Sequence, residues 1–75
     1  MPPDKLVMMA NQIGRFFASQ GEAGAADAIA AHLRAFWDPR MRRAIIAHLQ
    51  QGGAGLDPLP RQALEQLAAE TVAAP

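Results

Sequence analysis

The sequence contains no cysteine and no tyrosine. Without cysteine the chain has no disulfides and no thiolate ligands for a metal. No apolar run approaches the roughly 20 residues that a membrane-spanning helix needs. Neither sign of charge is in excess, with seven basic and seven acidic residues, so no global field draws the chain to nucleic acid or to an anionic membrane. The start of the sequence lacks the basic and apolar stretches of a signal peptide, and we expect a cytoplasmic protein.

The length of 75 residues allows one domain. A chain this short buries roughly 60% of the surface that its unfolded form exposes. Small domains usually gain stability from disulfides, a metal or a partner. A partner protein, or a homo-oligomer when the chain is isolated, is therefore the expected means of burying more apolar surface.

The residue types favour helices, because alanine, leucine, glutamine and arginine are abundant and β-branched residues are few. Apolar residues recur at helical spacing, and most glycines and prolines fall between the periodic segments. We predict an all-α protein, a small bundle of three to four short helices in a single domain over residues 1–75. The predicted helices cover residues 4–20, 23–37, 39–51 and 57–72. Residues 51–56 are a candidate hinge, and the last helix is expected to be the mobile one.

Two helix starts have a clear local signal, aspartate followed by proline at residues 38–39 and 57–58. Aspartate is a good N-cap, and proline fits the first helical position. Residues 19–22 are either a capping box for the second helix or the end of the first. At about 100° per residue, the first helix has an apolar inward stripe that includes Phe16. Its outward face is polar and comprises Asn11, Gln12, Arg15 and Ser19.

No group of residues in the sequence points to catalysis. His32 and His48 flank the apolar arcs of two predicted helices, and their rings can meet if those helices pack. Two histidines without a third ligand make a poor metal site, and half-buried boundary positions are the commoner role. Ser19 has no histidine or acid at local spacing, and residues 52–55 lack the lysine of a phosphate-binding loop. We predict no catalytic, metal-binding or cofactor-binding residue on this chain.

Positive charge concentrates in the middle of the chain, at Arg34, Arg40, Arg42 and Arg43. Together with two helices joined by a short turn, it makes a small helical DNA-binding or regulatory protein the alternative hypothesis. The zero net charge and the spread of the arginines around the helix argue against nucleic acid. The arginines otherwise form a solvated surface or pair with acids on a partner.

The aromatic residues at helical spacing, Phe16, Phe17, Phe36 and Trp37, are more often core than binding site. However, tryptophan, arginine and methionine are enriched where proteins meet. We therefore predict two partner-binding patches. One surrounds the short turn before the third helix and comprises Phe36, Trp37, Arg40 and Arg43. The other lies on the outer face of the first helix and comprises Met8, Gln12 and Arg15.

Two runs of sequence resemble a known family. The first covers residues 5–17 and includes Asn11-Gln12-Ile13-Gly14-Arg15-Phe16-Phe17. The second is Phe36-Trp37-Asp38-Pro39-Arg40-Met41-Arg42. They are followed by His48-Leu49, Gly52-Gly53, Gly55-Leu56 and Pro58-Leu59. From about Asp4 to Leu67 the chain resembles the delta subunit of soluble NAD-dependent formate dehydrogenases.

The resemblance implies a non-catalytic accessory subunit that binds the large subunits of a cytoplasmic molybdenum or tungsten enzyme and stabilises or helps mature it. The large subunits are implied to carry the molybdenum pterin, iron–sulfur clusters, FMN and NAD. The lack of cysteine and of a nucleotide-binding loop agrees with a chain that has no redox centre. In a third hypothesis the arginines hold the phosphates of the molybdenum cofactor during delivery, which requires a convergent arginine pocket.

Overall fold

In a computed structural model the chain is a bundle of four α-helices. The structure describes residues 3–21 and 24–73, with side chains as far as residue 70, and these ranges contain no strand. The helices are α1 (Pro3–Ser19), α2 (Ala25–Phe36), α3 (Pro39–Gln50) and α4 (Pro58–Ala73). The predicted all-α class is confirmed.

The helix boundaries follow the local signals with small shifts. At the start of α3, Asp38 Oδ1 accepts a hydrogen bond from the Met41 amide (2.9 Å), and Pro39 is the first helical residue. α2 begins at Ala25 after Gly24, which has a positive φ of 84° and provides no side-chain cap. The predicted start of this helix at residue 23 lies outside the described residues. So does Glu22, the acidic end of the predicted capping box.

α1 ends at Ser19, one of the two roles that the sequence left open for this residue. The Ser19 hydroxyl donates to the Phe16 carbonyl oxygen (2.7 Å), one turn back in α1. The serine therefore closes the first helix.

The core takes buried side chains from all four helices. α4 packs against each of the other three helices, most extensively against α2. α4 thus completes the core of the bundle, and the mobility expected of it stays a prediction. The largest side chains with almost no exposed surface are Leu6, Ile29, Leu33, Ile45, Pro60 and Leu64.

Asn11 of α1 fixes the loop between α3 and α4. Its Nδ2 donates to the Gly55 carbonyl oxygen (2.9 Å), and its Oδ1 accepts from the Asp57 amide (2.9 Å). Asn11 is only 8% exposed, so its predicted place on the outward face is wrong. The physical reason is that one amide side chain satisfies a backbone acceptor and a backbone donor that the loop would otherwise bury unpaired.

A second set of hydrogen bonds holds the same loop from α3 and α4. Arg61 Nη2 donates to the carbonyl oxygens of Gly53 (2.9 Å) and Gly52 (3.1 Å). His48 Nε2 donates to the Ala54 carbonyl oxygen (2.8 Å). The segment predicted as a hinge is therefore tied to α1, α3 and α4.

Candidate partner-binding surfaces

Four rings from α1 and α2 form a continuous surface, which we call the aromatic patch: Phe16, Phe17, His32 and Phe36. Phe16 and Phe17 meet edge to face with centroids 5.3 Å apart, and Phe17 meets His32 in the same way at 6.0 Å. The His32 and Phe36 rings are tilted, with centroids 4.7 Å apart. These separations are typical of favourable aromatic pairs. Beside the patch lies a shallow hollow of about 240 Å³, which Gln12 also lines.

The two end rings of the aromatic patch lie in solvent. Phe36 is 75% exposed and Phe16 is 60% exposed. The inward place predicted for Phe16 is therefore wrong. The buried face of α1 is turned toward Asn11 and Gly14, because the start of α4 packs there, and this leaves Phe16 outside.

Trp37 does not belong to this surface. It is 5% exposed and part of the hydrophobic core. It follows the last residue of α2 in an extended conformation, and its amide donates to the Leu33 carbonyl oxygen (2.9 Å). Trp37 leaves the helical conformation and its side chain lies in the core, whereas Phe36, the last residue of α2, faces solvent. Trp37 is therefore covered by the chain's own core, and its predicted role in partner binding stays a prediction.

The remaining predicted partner-binding residues are at least partly in solvent. Met8 is 55% exposed, and Gln12 and Arg15 are exposed on α1. Arg15 Nε lies 3.9 Å from Asp57 Oδ2, a loose ion pair at the surface. Arg40 and Arg43 are both exposed on α3. Their role in binding stays a prediction.

A second surface lies between α2, α3 and α4, and we call it the arginine groove. It is an open groove of about 640 Å³. Arg34 and Glu70 form an ion pair across it, with Nη2 and Oε2 2.7 Å apart. The sequence showed Arg34, Arg42 and Arg43 only as part of a local excess of positive charge, because no local pattern indicates that the packing of the helices brings them to one groove. The residues that define the groove are Arg34, Arg42, Arg43, Ile46, Leu67 and Glu70.

The two histidines have different neighbours. His32 packs between Phe17 and Phe36, whereas His48 bonds to the loop after α3. The structure does not bring their rings together. Within the described ranges, no three histidine, aspartate or glutamate side chains converge as metal ligands would. In the same ranges, no helix is both long and apolar enough to cross a lipid bilayer.

The fold and these surfaces define a small all-α protein with an aromatic patch and an arginine-lined groove open to solvent. Residues 5–64 match the family of the NADH-dependent formate dehydrogenase delta subunit, FdsD, and the chain belongs to this family. The match covers most of the 75 residues and includes both sequence runs on which the resemblance is based. A search of curated proteins and a search of solved structures found no match.

Proposed function

We propose that this chain is a non-catalytic accessory subunit that binds the large subunits of a cytoplasmic NAD-dependent formate dehydrogenase and stabilises the complex or helps it mature. Family membership supports the choice of enzyme. The aromatic patch is the observation that carries the binding role. In this proposal the molybdenum pterin, the iron–sulfur clusters and the FMN belong to the large subunits, which agrees with the absence of cysteine from the sequence.

The physical argument rests on the two exposed phenylalanines. Burying a phenylalanine side chain contributes roughly 1.5–3 kcal/mol relative to leaving it in water. Phe16 and Phe36 are 60% and 75% exposed in the isolated chain. Most of this stabilisation would therefore be gained only when a partner covers the two rings. The ring contacts through Phe17 and His32 hold the patch in one shape, so binding costs little side-chain entropy.

The test is co-expression of the tagged chain with the large subunits, followed by purification on the tag. The double variant Phe16→Ala/Phe36→Ala removes the exposed ends of the patch. We expect it to lower recovery of the large subunits at least about tenfold, because hot-spot residues contribute about 2 kcal/mol or more each. Formate-dependent reduction of NAD by the recovered material should fall with it.

The matched control is Glu65→Ala, an exposed position on α4 outside both surfaces. It should leave recovery and activity unchanged. Circular dichroism of the isolated double variant should show the same helix content as the wild type, since both rings are outside the core. Normal recovery of the large subunits by the folded double variant would contradict the proposal.

A further inference from the structure

We propose that the arginine groove binds an acidic amphipathic helix of a partner protein, at a site separate from the aromatic patch. The nature of this occupant is argued from the groove alone. Only the identity of the partner, a large subunit of the formate dehydrogenase, rests on the proposed function.

The groove combines an apolar lining with charges on three helices. The accessible apolar lining comes from α3, where Pro39 and Ala47 are exposed and Ile46 is half-buried, whereas Leu67 of α4 is only 5% exposed. Guanidinium groups come from Arg34 on α2 and from Arg42 and Arg43 on α3. An amphipathic helix docks in such a groove by its apolar side, and its flanking side chains then lie beside the charges.

The charge of the groove is positive. Three arginines face one carboxylate, that of Glu70, and Arg34 is already paired with it at 2.7 Å. Arg42 donates to a backbone oxygen, that of Arg34 (3.3 Å), and forms no ion pair with a carboxylate in the part of the chain that the structure describes. Arg43 has no ion pair with any carboxylate among the described side chains. Among the described side chains, two guanidinium groups thus have no carboxylate partner, and carboxylates on the occupant would complement them.

A free phosphate or a nucleic acid fits the same groove less well. A phosphate would leave the apolar surface at Pro39, Ile46 and Ala47 uncovered. Nucleic acid binds broad basic surfaces, whereas the chain as a whole has no net charge. An acidic helix with an apolar stripe would cover the apolar lining and would also place carboxylates beside the arginines.

The probes are synthetic peptides of roughly 18 residues, or five helical turns, that cover the acidic helices of the large subunits. Each is compared with a version in which glutamine replaces every acid, and with a scrambled version of equal charge and no apolar stripe. Binding is followed by ¹⁵N–¹H NMR of the full chain. We expect shifts of the amides of Ile46, Ala47 and Leu67, and about tenfold weaker binding of both altered peptides.

A matched pair of variants locates the binding site. Arg43→Glu and Lys5→Glu make the same change of charge at exposed positions, but only Arg43 lines the groove, and Lys5 lies on α1 outside both surfaces. Arg43→Glu should weaken peptide binding at least about tenfold, and Lys5→Glu less than about threefold, since an exposed charge outside the contact is screened by salt. Equal losses in the two variants would overturn the proposal, as would undiminished binding of the glutamine peptide.

Inorganic phosphate and a short DNA duplex are tested on the same amides. If either shifts them while no peptide does, the groove is an anion site and the proposal fails. If no peptide binds but the large subunits still co-purify through Phe16 and Phe36, the inference fails and the proposed function stands. If an acidic peptide binds but the large subunits never co-purify with the wild type, the groove is as proposed and the function is not.

Discussion

Gly14 of α1 lies against Pro60 of α4, and substitution by alanine tests how tightly these helices are packed. A methyl group at Gly14 would lie 2.8 Å from Pro60 Cδ and 3.2 Å from its Cγ. Carbon atoms in good contact are about 3.5–4.0 Å apart. The proline ring is closed onto the backbone and fully buried, so no change of rotamer can move it away. Gly14→Ala therefore has to push α1 and α4 apart.

Two opposing effects set the size of the change in the free energy of unfolding. Alanine is favoured over glycine inside a helix by about 1 kcal/mol. Overpacking a tight interface typically costs about 1–3 kcal/mol. The distance of 2.8 Å to a rigid ring places Gly14→Ala in the upper part of that range. We expect a net loss of about 1–2 kcal/mol, which lowers the Tm of a domain this small by roughly 4–16 °C.

Thermal unfolding followed by far-UV circular dichroism measures this effect, and Pro60→Ala provides the internal control. With alanine at residue 60, only the Cβ remains near the new methyl group, and Pro60 Cβ is 3.6 Å away, an ordinary contact. In that background Gly14→Ala should stabilise the protein by up to about 1 kcal/mol, because the helix preference then acts alone. The sign of the effect should therefore reverse. A Gly14→Ala variant destabilised equally in both backgrounds would refute the packing argument.

Three further tests, with four substitutions, address other contacts. Asn11→Asp removes the donor to the Gly55 carbonyl oxygen and should cost about 1–3 kcal/mol in urea unfolding, and unchanged stability would contradict the role of Asn11 as a loop anchor. Trp37→Ala should cost about 3–5 kcal/mol as a buried ring, whereas the exposed Phe36→Ala should cost less than about 0.5 kcal/mol; similar losses in a thermal melt would place both rings in the core. Asp38→Ala should cost about 1 kcal/mol and speed hydrogen exchange at the Met41 amide, and slow exchange there would exclude the cap.

In α1, helical periodicity predicts the helix itself but only part of its buried face. Its spacing correctly predicts a helix with Leu6 and Ala10 inside. It also places Phe16 inside and Asn11 outside, and the structure reverses both. A prediction from periodicity depends only on the polarity of each side chain in α1. Burial in the structure depends instead on the loop before α4 and on Pro60, which pack against the side of α1 that carries Asn11 and Gly14.

The two candidate surfaces were predicted to different extents. Of the aromatic patch, Phe36 was among the predicted partner-binding residues, whereas Phe16 was expected to face inward and is 60% exposed. A convergent arginine pocket was expected only as a requirement of the cofactor-delivery hypothesis, and its place was not predicted, because Arg34 and Glu70 are 36 residues apart in sequence. Only the packing of α2 against α4 brings them together.

The sequence by itself determined the all-α class, the four helices, the starts at residues 38–39 and 57–58, and the family. These depend on signals within one or two turns of helix or on runs of consecutive residues. The tertiary structure decided which side of α1 is buried, that Trp37 turns inward while Phe36 stays in solvent, and that three arginines share one groove. Each of those outcomes depends on contacts between helices, such as the one from Asn11 to Asp57 across 46 residues, and no local pattern encodes where a distant helix will pack.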